Sequence, residues 1–403
     1  MADRYKQVTL KRGKDESLRR FHPWVFSGAV AHTDSGVSDG DVVRVLDHAG
    51  QFIAVGHYQE GSIMVRVLSF SDEQIDEDFF LSRLNQAYNA RKAIGLADNA
   101  AGNTFRLVHG EGDSLPGLIV DIYGKTAVMQ SHSIGMHLAR YHVAAALRRL
   151  MGEQLTALYY KSETTLPFIT DISETDGYLF GAAGSDIAIE NGLKFHIDWL
   201  RGQKTGFFID QRENRLLLQH YAKERKVLNM FCYTGGFSVY AMRGGATLVH
   251  SVDSSAKAIE LTRQNVEMNF PDDPRHAAYC EDAFRFLDNH VGSNREDATS
   301  YDLIILDPPA FAKHRGALHN ALKGYTRLNQ KAFEKIAKGG ILFTFSCSQV
   351  VSMTHFRNAV FTAAAQARRQ VRILHFLHQP ADHPVNIYHP EGEYLKGLVL
   401  YVE

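Results

Sequence analysis

The 403-residue chain carries 44 Lys and Arg residues against 45 Asp and Glu, a formal net charge of −1. This balance argues against a protein that coats nucleic acid indiscriminately, although it allows local basic faces. No apolar run approaches the roughly 18 residues of a membrane span, and the N-terminus lacks the apolar core of a signal peptide, so we expect a cytoplasmic protein of two or three domains.

Cysteine and histidine usage gives no sign of a disulfide framework or a metal site. The three cysteines, Cys232, Cys280 and Cys347, show no C-x-x-C spacing. The 20 histidines include no H-E-x-x-H motif. We therefore expect no disulfide framework and no bound metal.

Residues 1–72 predict a small β domain. Short β-rich runs at Val42–Leu46, Phe52–Tyr58 and Ile63–Leu68 are separated by glycine-containing turns. Such spacing is typical of a small barrel.

An aromatic segment, Arg20–Phe26, follows a basic run in which residues 4–20 carry seven positive and two negative side chains. Arginines hold phosphates and aromatic rings stack on bases, so Arg20 and Trp24 are candidate RNA contacts. Two structural alternatives stay open: Trp24 and Phe26 could fill the barrel core, and the basic run could be a solvated arm.

Residues 73–185 predict a central α+β module that orients substrate. A helix over Asp72–Ile94 precedes a strand-strand-helix-strand pattern, and Asn191-Gly192 predicts a tight hairpin after it. The pattern consists of Leu118–Tyr123, Thr126–Ser131, Met136–Met151 and Leu155–Lys161. No catalytic pattern is evident in these stretches.

Residues 186–403 are organised around Lys226–Asp253. Its continuous apolar run predicts a buried parallel strand, and Thr234-Gly235-Gly236 allows a sharp turn into a helix. Asp253 ends the next predicted strand, 18 residues after Gly235, where an acid can accept hydrogen bonds from both ribose hydroxyls of a nucleoside cofactor. The alternative to a cofactor site is an ordinary strand-to-helix turn that an acidic residue follows by chance.

The glycine loop favours S-adenosylmethionine over a dinucleotide. The G-x-G-x-x-G fingerprint that accommodates a pyrophosphate is absent, and S-adenosylmethionine carries no phosphate. The candidate cofactor-binding residues in and near the loop are Phe231, Tyr233, Thr234, Gly235 and Gly236. Asp282, beyond a third strand, could accept from the adenine amino group.

The segment Lys204–Arg212 opens this domain, and we expect it, through Gln211, to cover the methionine end of the cofactor. A structural use is equally open, because Asp210 could cap the helix that runs through Arg215–Tyr221.

Asp307-Pro308-Pro309 follows the buried run Leu303–Leu306, at the edge where open α/β sheets bind ligands. Two prolines fix an extended loop without N–H donors, which suits the flat face of a base. Pro308, Pro309 and Phe311 are therefore candidate substrate contacts, with a structural turn as the alternative. Cys347 ends the next predicted strand, which places it beside Asp307 along the same edge.

Taken together, the motifs resemble class I S-adenosylmethionine-dependent methyltransferases, and more closely the bacterial RlmI-type family that makes 5-methylcytidine in large-subunit ribosomal RNA. The resemblance rests on Arg20–Phe26, KTGFFIDQR at 204–212, NMFCYTGGFSV at 229–239, SVDSS at 251–255, DPPAF at 307–311, FSCS at 345–348 and HPEGEYLKG at 389–397.

The resemblance implies an α/β fold: a PUA-like barrel, a central α+β module, and a Rossmann-like methyltransferase domain with a mostly parallel sheet and helices on both faces. It also implies a homodimer, Gly235, Asp253 and Asp282 as cofactor contacts, Asp307 at cofactor and base, and Cys347 as nucleophile. Unlike cytosine-C5 methyltransferases with a second cysteine after the loop proline, this chain has Pro309 and Ala310 there.

Two other functions stay open. Asp-Pro-Pro-aromatic loops also serve methylation of ring or exocyclic nitrogens, which need no cysteine because nitrogen is already nucleophilic. The second of these functions is that of a non-catalytic RNA-binding protein whose cofactor domain binds no cofactor.

Overall fold

A computed structural model describes residues 5–167, 176–182, 184–292, 299–312 and 314–403. They form two compact units. The N-terminal unit comprises Met1–Gly192, Ile197–Ile209 and Ala381–Gly392, and the C-terminal unit comprises Leu193–His196, Asp210–Pro380 and Glu393–Glu403. Within the described ranges, no helix is long and apolar enough to cross a membrane. The domain boundaries at 72/73 and 185/186 stay predictions.

The first sheet of the N-terminal unit is built from short β-branched strands whose apolar side chains meet in one core. Among the described residues it has the order β2-β6-β5-β4-β1-β3. Val8, Val43, Val45 and Val65 are fully buried in it. Its elements are β1 (Lys6–Leu10), α1 (Glu16–Arg19), β2 (Trp24–Phe26), β3 (Val30–Thr33), β4 (Val42–Leu46), β5 (Phe52–Tyr58) and β6 (Ile63–Ser69).

The second sheet of this unit has the order β11-β10-β9-β8-β7 in the part of the chain that is described. Helices pack on it through a core that includes Phe80, Leu84, Leu107 and Leu147. The elements are α2 (Glu77–Ala93), β7 (Thr104–His109), β8 (Leu118–Tyr123), β9 (Thr126–Ser131), α3 (Ile134–Leu138), α4 (Arg140–Met151), β10 (Ala157–Tyr160), β11 (Gly177–Phe180) and β12 (Ile187–Glu190).

Two predicted helices differ at their ends because side chains cap them elsewhere. Helix α2 begins at Glu77 rather than Asp72, since the Asp76 carboxylate accepts from the Phe79 amide at 3.1 Å. The helix predicted over Met136–Met151 is two helices that meet at Ala139, and Ser133 caps the first. The predicted Asn191-Gly192 turn has both φ angles positive, +50° and +79°, as a tight hairpin turn requires.

The C-terminal unit contains a seven-stranded sheet, counted over the described residues, in the order β16-β15-β14-β17-β18-β20-β19. β14 to β18 pair in parallel, and β20 runs antiparallel between β18 and β19. The elements are β13 (Leu193–His196), α5 (Arg212–Tyr221), β14 (Lys226–Met230), α6 (Gly236–Arg243), β15 (Leu248–Asp253), α7 (Ala256–Asn269), β16 (His276–Cys280), α8 (Ala283–His290), β17 (Leu303–Leu306), α9 (Leu318–Lys335), β18 (Gly340–Ser346), α10 (Met353–Gln366), β19 (Val371–Leu377) and β20 (Lys396–Val402).

The prediction of continuous buried strands is confirmed. All four residues of β17 and all seven of β18 are buried, because helices cover a parallel sheet on both faces. Strand order reverses between β14 and β17, which is the switch point where open α/β sheets bind ligands beyond the strand carboxyl ends. The candidate residues lie at these ends.

Candidate active site

The glycine loop leaves β14 through a strained backbone. Phe231 and Tyr233 have φ angles of +58° and +48°, a region that non-glycine residues rarely adopt. Gly235 has φ of +77°, and a Cβ atom there would lie 2.7 Å from the Thr262 Cγ2 atom. Glycine is therefore required at 235 by conformation and by contact, and the strain concentrates where a ligand site is predicted.

Side chains of helix α7 hold the glycine loop in place by hydrogen bonds. The Thr262 hydroxyl donates to the Tyr233 carbonyl at 2.9 Å, and the Asn265 amide donates to the Thr234 carbonyl at 2.8 Å. Thr234 and Gly236 are buried, whereas Phe231 and Tyr233 are half-buried. The loop is thus fixed before any ligand binds.

Asp253 is the last residue of β15, and its carboxylate faces the glycine loop. It accepts from the Tyr233 amide at 3.0 Å and from the Ser255 amide at 2.9 Å. Each bond occupies a different carboxylate oxygen, and each oxygen has further lone pairs that can accept from a hydroxyl. The arrangement fits the predicted ribose contact.

Asp282 lies just beyond β16 at the N-terminus of α8. Its Oδ1 atom accepts from the amides of Phe284 and Arg285 at 3.0 and 3.1 Å. The side chain therefore caps a helix, a use that the sequence analysis did not assign to it. Asp282 is exposed, and the Oδ2 atom is the one through which it could accept from an adenine amino group.

Gln211 reaches across to the acid that follows β17. The Gln211 side-chain amide donates to Asp307 Oδ2 at 3.0 Å, and Asn214 donates to Gln211 Oε1 at 2.7 Å. The segment before α5 therefore orients the Asp307 carboxylate. The capping alternative for Asp210 is not observed: Gln211 occupies the N-cap position, and Asp210 accepts from the Tyr394 hydroxyl at 2.7 Å.

The loop after Asp307 packs on α9. Pro308 is buried, so Pro309, which is exposed, presents the open proline face. The Phe311 ring lies 4.6 Å from the Tyr325 ring, centroid to centroid. At its end, the Ala312 amide donates to the Ser348 hydroxyl at 3.3 Å, which ties the proline loop to the segment after β18.

Cys347 is the first residue after β18 and is half-buried. Leu306 pairs with Thr344 in the parallel register, so Asp307 and Cys347 both follow neighbouring strand ends. The structure thus places these two predicted residues at adjacent strand ends on the same edge of the sheet.

Cys232 and Cys280 occupy different settings. Cys232 is buried, and burial raises the pKa of its thiol to about 12. Cys280 is exposed at the end of β16, next to the predicted cofactor residues. Because only a thiolate is nucleophilic, Cys232 is unsuited to covalent chemistry.

Two residues near Cys347 were missed by the sequence analysis. The Tyr325 hydroxyl accepts from Ser346 Oγ at 2.9 Å and lies 3.0 Å from Ser348 Oγ, so it bridges the residues on either side of Cys347. Lys396, at the start of β20, donates from Nζ to the Ser348 carbonyl at 2.8 Å. The sequence could have singled out Lys396, because it is the one charged residue in the otherwise apolar run LKGLVLYV at 395–402.

The candidate RNA contacts of the N-terminal unit make internal contacts. Arg20 is exposed and pairs with Glu16 at 2.5 Å. Trp24 is half-buried, its Nε1 donates to Glu111 Oε1 at 2.9 Å, and its ring lies 4.3 Å from the His389 ring. These contacts give Trp24 a structural use, but not the predicted one: the core of the first sheet includes neither Trp24 nor Phe26, and Phe26 is exposed. Over the described residues, no cluster of His, Cys, Asp or Glu could hold a metal ion.

Family comparisons agree with this geometry. Residues 178–388 match the family described as S-adenosylmethionine-dependent methyltransferase, and residues 8–70 match a PUA-like domain. The chain aligns with a structure of an S-adenosylmethionine-dependent methyltransferase from Streptococcus mutans at a TM-score of 0.82, with 22% identity over 98% of this chain and 100% of that one. The methyltransferase SMU.776 in complex with SAH gives a TM-score of 0.83 over the same shares.

The fold and site therefore define an S-adenosylmethionine-dependent methyltransferase with an N-terminal PUA-like domain. More particularly, the chain belongs to the family of ribosomal RNA large subunit methyltransferase I. The protein of that name from Tolumonas auensis is 39% identical over 98% of both chains, and the Escherichia coli protein is 37% identical over 98% of this chain and 99% of its own.

Proposed function

We propose that this protein transfers a methyl group to C5 of a cytosine in large-subunit ribosomal RNA through a covalent bond between Cys347 and C6. The substrate class is carried over from the named relatives. The observation that carries the reaction type is the half-buried cysteine directly after β18, with Asp307 directly after the adjacent strand β17. Methylation of a nitrogen would not need that thiol.

The cofactor supplies an electrophilic methyl group when bound. Its contacts are proposed residue by residue: Asp253 accepts from the ribose hydroxyls, Asp282 accepts from the adenine amino group through Oδ2, and the loop of Phe231, Tyr233, Thr234, Gly235 and Gly236 lies along the methionine part. Gln211 contributes by orienting Asp307 at 3.0 Å.

The chemical difficulty is that C5 of cytosine is a poor nucleophile while the ring stays aromatic. Addition of the Cys347 thiolate to C6 breaks the C5=C6 double bond and moves its electron pair toward C5 and N3. C5 then forms the bond to the methyl carbon as the methyl–sulfur bond breaks. Loss of the C5 proton to a base re-forms the double bond and expels Cys347 as a thiolate.

Asp307 and the proline loop serve the base. We propose that Asp307 shares a proton with N3 or the amino group of the cytosine, which offsets the negative charge that develops in the ring. Pro309 and Phe311 lie along the base, while buried Pro308 fixes the loop. Of the two N-terminal residues predicted to contact RNA, exposed Arg20 is retained as a substrate contact, whereas the bonds of Trp24 within its own unit favour a structural role.

The decisive experiment uses RNA with 5-fluorocytidine at the target, because C5 then has no proton to lose and the adduct should persist in denaturant. Wild-type protein should be trapped and Cys347→Ala should not. We expect Cys347→Ala to lose roughly a thousand-fold or more in turnover, as removal of a covalent nucleophile does. Cys280→Ser, an exposed cysteine change in the same unit, is the matched control and should be trapped like wild type.

Substantial turnover by Cys347→Ala, or an adduct that maps to Cys280, would contradict this mechanism and favour methylation of a nitrogen. The homodimer implied by the resemblance stays a prediction that sedimentation can measure.

A further inference from the structure

A buried lysine lies beside the proposed nucleophile. Lys396 is 6% exposed, although lysine is among the residues least often buried without a partner. It opens β20, where its Cα is paired with that of Ser346, the residue before Cys347. Its ammonium donates to the carbonyl of Ser348, the residue after Cys347, at 2.8 Å. The lysine thus contacts the chain on both sides of the cysteine.

The charges around this lysine favour its protonated form against the cost of burial. Burial lowers the pKa of Lys396 to about 8, while the charges of Cys347 and Glu393 act in the opposite direction. Tyr325, whose hydroxyl bonds the two serines that flank Cys347, has its pKa raised by burial and also by the charge of Cys347. The tyrosine therefore stays a neutral hydroxyl, and Lys396 is a positive charge that interacts with Cys347. The carboxylate of Asp307, which follows the adjacent strand β17, acts against a thiolate, so the ammonium must outweigh it.

We propose that Lys396 is a positioning residue whose ammonium holds Cys347 as the thiolate before the substrate base arrives. The proposal rests on the proposed function, in which Cys347 adds to C6. An ammonium favours a neighbouring thiolate by direct charge attraction, and the effect is strong where little water screens the pair. The hydrogen bond to Ser348 fixes the ammonium in place, so the attraction costs no rearrangement when the RNA binds.

A purely structural lysine makes a different prediction. If Lys396 served only to tie β20 to the segment after β18, removing its charge would lower the melting temperature and leave the chemistry of Cys347 unchanged. The pH profile of thiol reactivity separates the two roles, since packing alone does not favour the thiolate.

The test follows alkylation of Cys347 by iodoacetamide against pH in the full-length protein without RNA, read by mass spectrometry of the digest. For wild type, the rate should reach half its plateau well below the ordinary thiol pKa of about 8.5. In Lys396→Met, which keeps the length of the side chain, the midpoint should rise by about one pH unit or more. Lys396→Arg keeps the charge and should hold the midpoint near that of wild type.

Two controls report on fold and specificity. Lys335 also donates to a backbone carbonyl, that of Val291 at 2.9 Å, so Lys335→Met removes a similar contact and should not move the Cys347 midpoint. Alkylation of exposed Cys280 in the same digests should be unchanged in every variant. Melting curves show whether each variant folds.

A wild-type midpoint at or above the ordinary value would overturn the proposal even if Lys396→Met does not fold. An unchanged midpoint in folded Lys396→Met would do the same and leave Lys396 a structural role. Failure of the proposed function is separate: it would appear as the absence of a 5-fluorocytidine adduct on wild-type Cys347, whatever the alkylation profile.

Discussion

The two regions predicted to bind ligands differ in the contacts of their side chains. In the aromatic segment Arg20–Phe26, the side chains predicted to bind RNA make bonds within the N-terminal unit. In the seven-stranded sheet, the predicted residues lie at the carboxyl ends of adjacent strands. Trp24 donates to Glu111, and Arg20 pairs with Glu16. At the sheet edge, Asp253 and Asp307 also make internal bonds, but these bonds fix the two carboxylates at the carboxyl ends of β15 and β17.

The two regions differ because their predictions rest on different information. The aromatic segment was selected by composition, and composition does not say where a side chain points. The sheet residues were selected by position, at the ends of buried parallel strands, and topology brings all such ends to one edge. A site predicted from position should therefore lose function on mutation, and one predicted from composition should lose mainly stability.

The largest effect on binding is expected for Asp253→Ala. Hydrogen bonds to a charged acceptor contribute about 1.5–3 kcal/mol each, so removing the carboxylate should weaken S-adenosylmethionine binding roughly 100-fold or more in calorimetry. Asp302→Ala is the matched control, because Asp302 accepts from the Lys226 amide at 2.8 Å at the opposite edge of the same sheet. Equal losses in both variants, or no binding by wild type, would remove the distinction between the edges.

Tyr325→Phe should lower methylation roughly 10-fold and stability by about 1–3 kcal/mol, since it leaves two buried hydroxyls beside Cys347 without their partner. Tyr301→Phe is the matched control: Tyr301 is fully buried, bonds His250 at 2.6 Å and precedes the amino end of β17. Both variants should melt earlier, but only Tyr325→Phe should methylate more slowly at saturating cofactor. Equal rates would reduce Tyr325 to a packing role.

These two predictions also show where sequence reasoning ends. The contacts of Asp253 are to residues 233 and 255, whose positions follow from a glycine turn and two adjacent strands, so local pattern sufficed. Tyr325 and Lys396 bond to the serines that flank the cysteine. Tyr325 does so from α9, and Lys396 from an antiparallel strand 49 residues further along the chain (396 minus 347). Lys396 stands out as a charge in an apolar run, but no local pattern places it or Tyr325 near Cys347, because tertiary packing brings these residues together.

A smaller effect on RNA binding is expected from the basic run before the aromatic segment. Lys6, Arg19 and Arg20 are paired with acids. Over the described residues, no ion pair involves Lys11, Arg12 or Lys14, which are exposed.

Replacing Lys11, Arg12 and Lys14 by Gln should reduce the slope of log affinity for RNA against log salt by roughly 2–3, if each neutralises one phosphate. Replacing the three paired cations by Gln is the control and should change the slope less. An unchanged slope in the first variant would make the run a solvated arm. Point variants are preferable to deleting residues 1–72, because Gln59 accepts from the Ile134 amide at 3.1 Å and deletion would disturb the rest of the unit.

The smallest effect on RNA binding is expected for Trp24→Phe. The change removes the indole donor to Glu111 and part of the contact with His389, so the free energy of unfolding should fall by about 1–2 kcal/mol, while RNA affinity should stay within twofold. Phe26, 45% exposed on the same strand, gives the complementary variant: Phe26→Leu should leave stability unchanged. A tenfold loss of RNA affinity in Trp24→Phe with an unchanged melting curve would instead show that Trp24 contacts the substrate. Composition would then have predicted the RNA site of the aromatic segment as well as position predicted the site at the sheet edge.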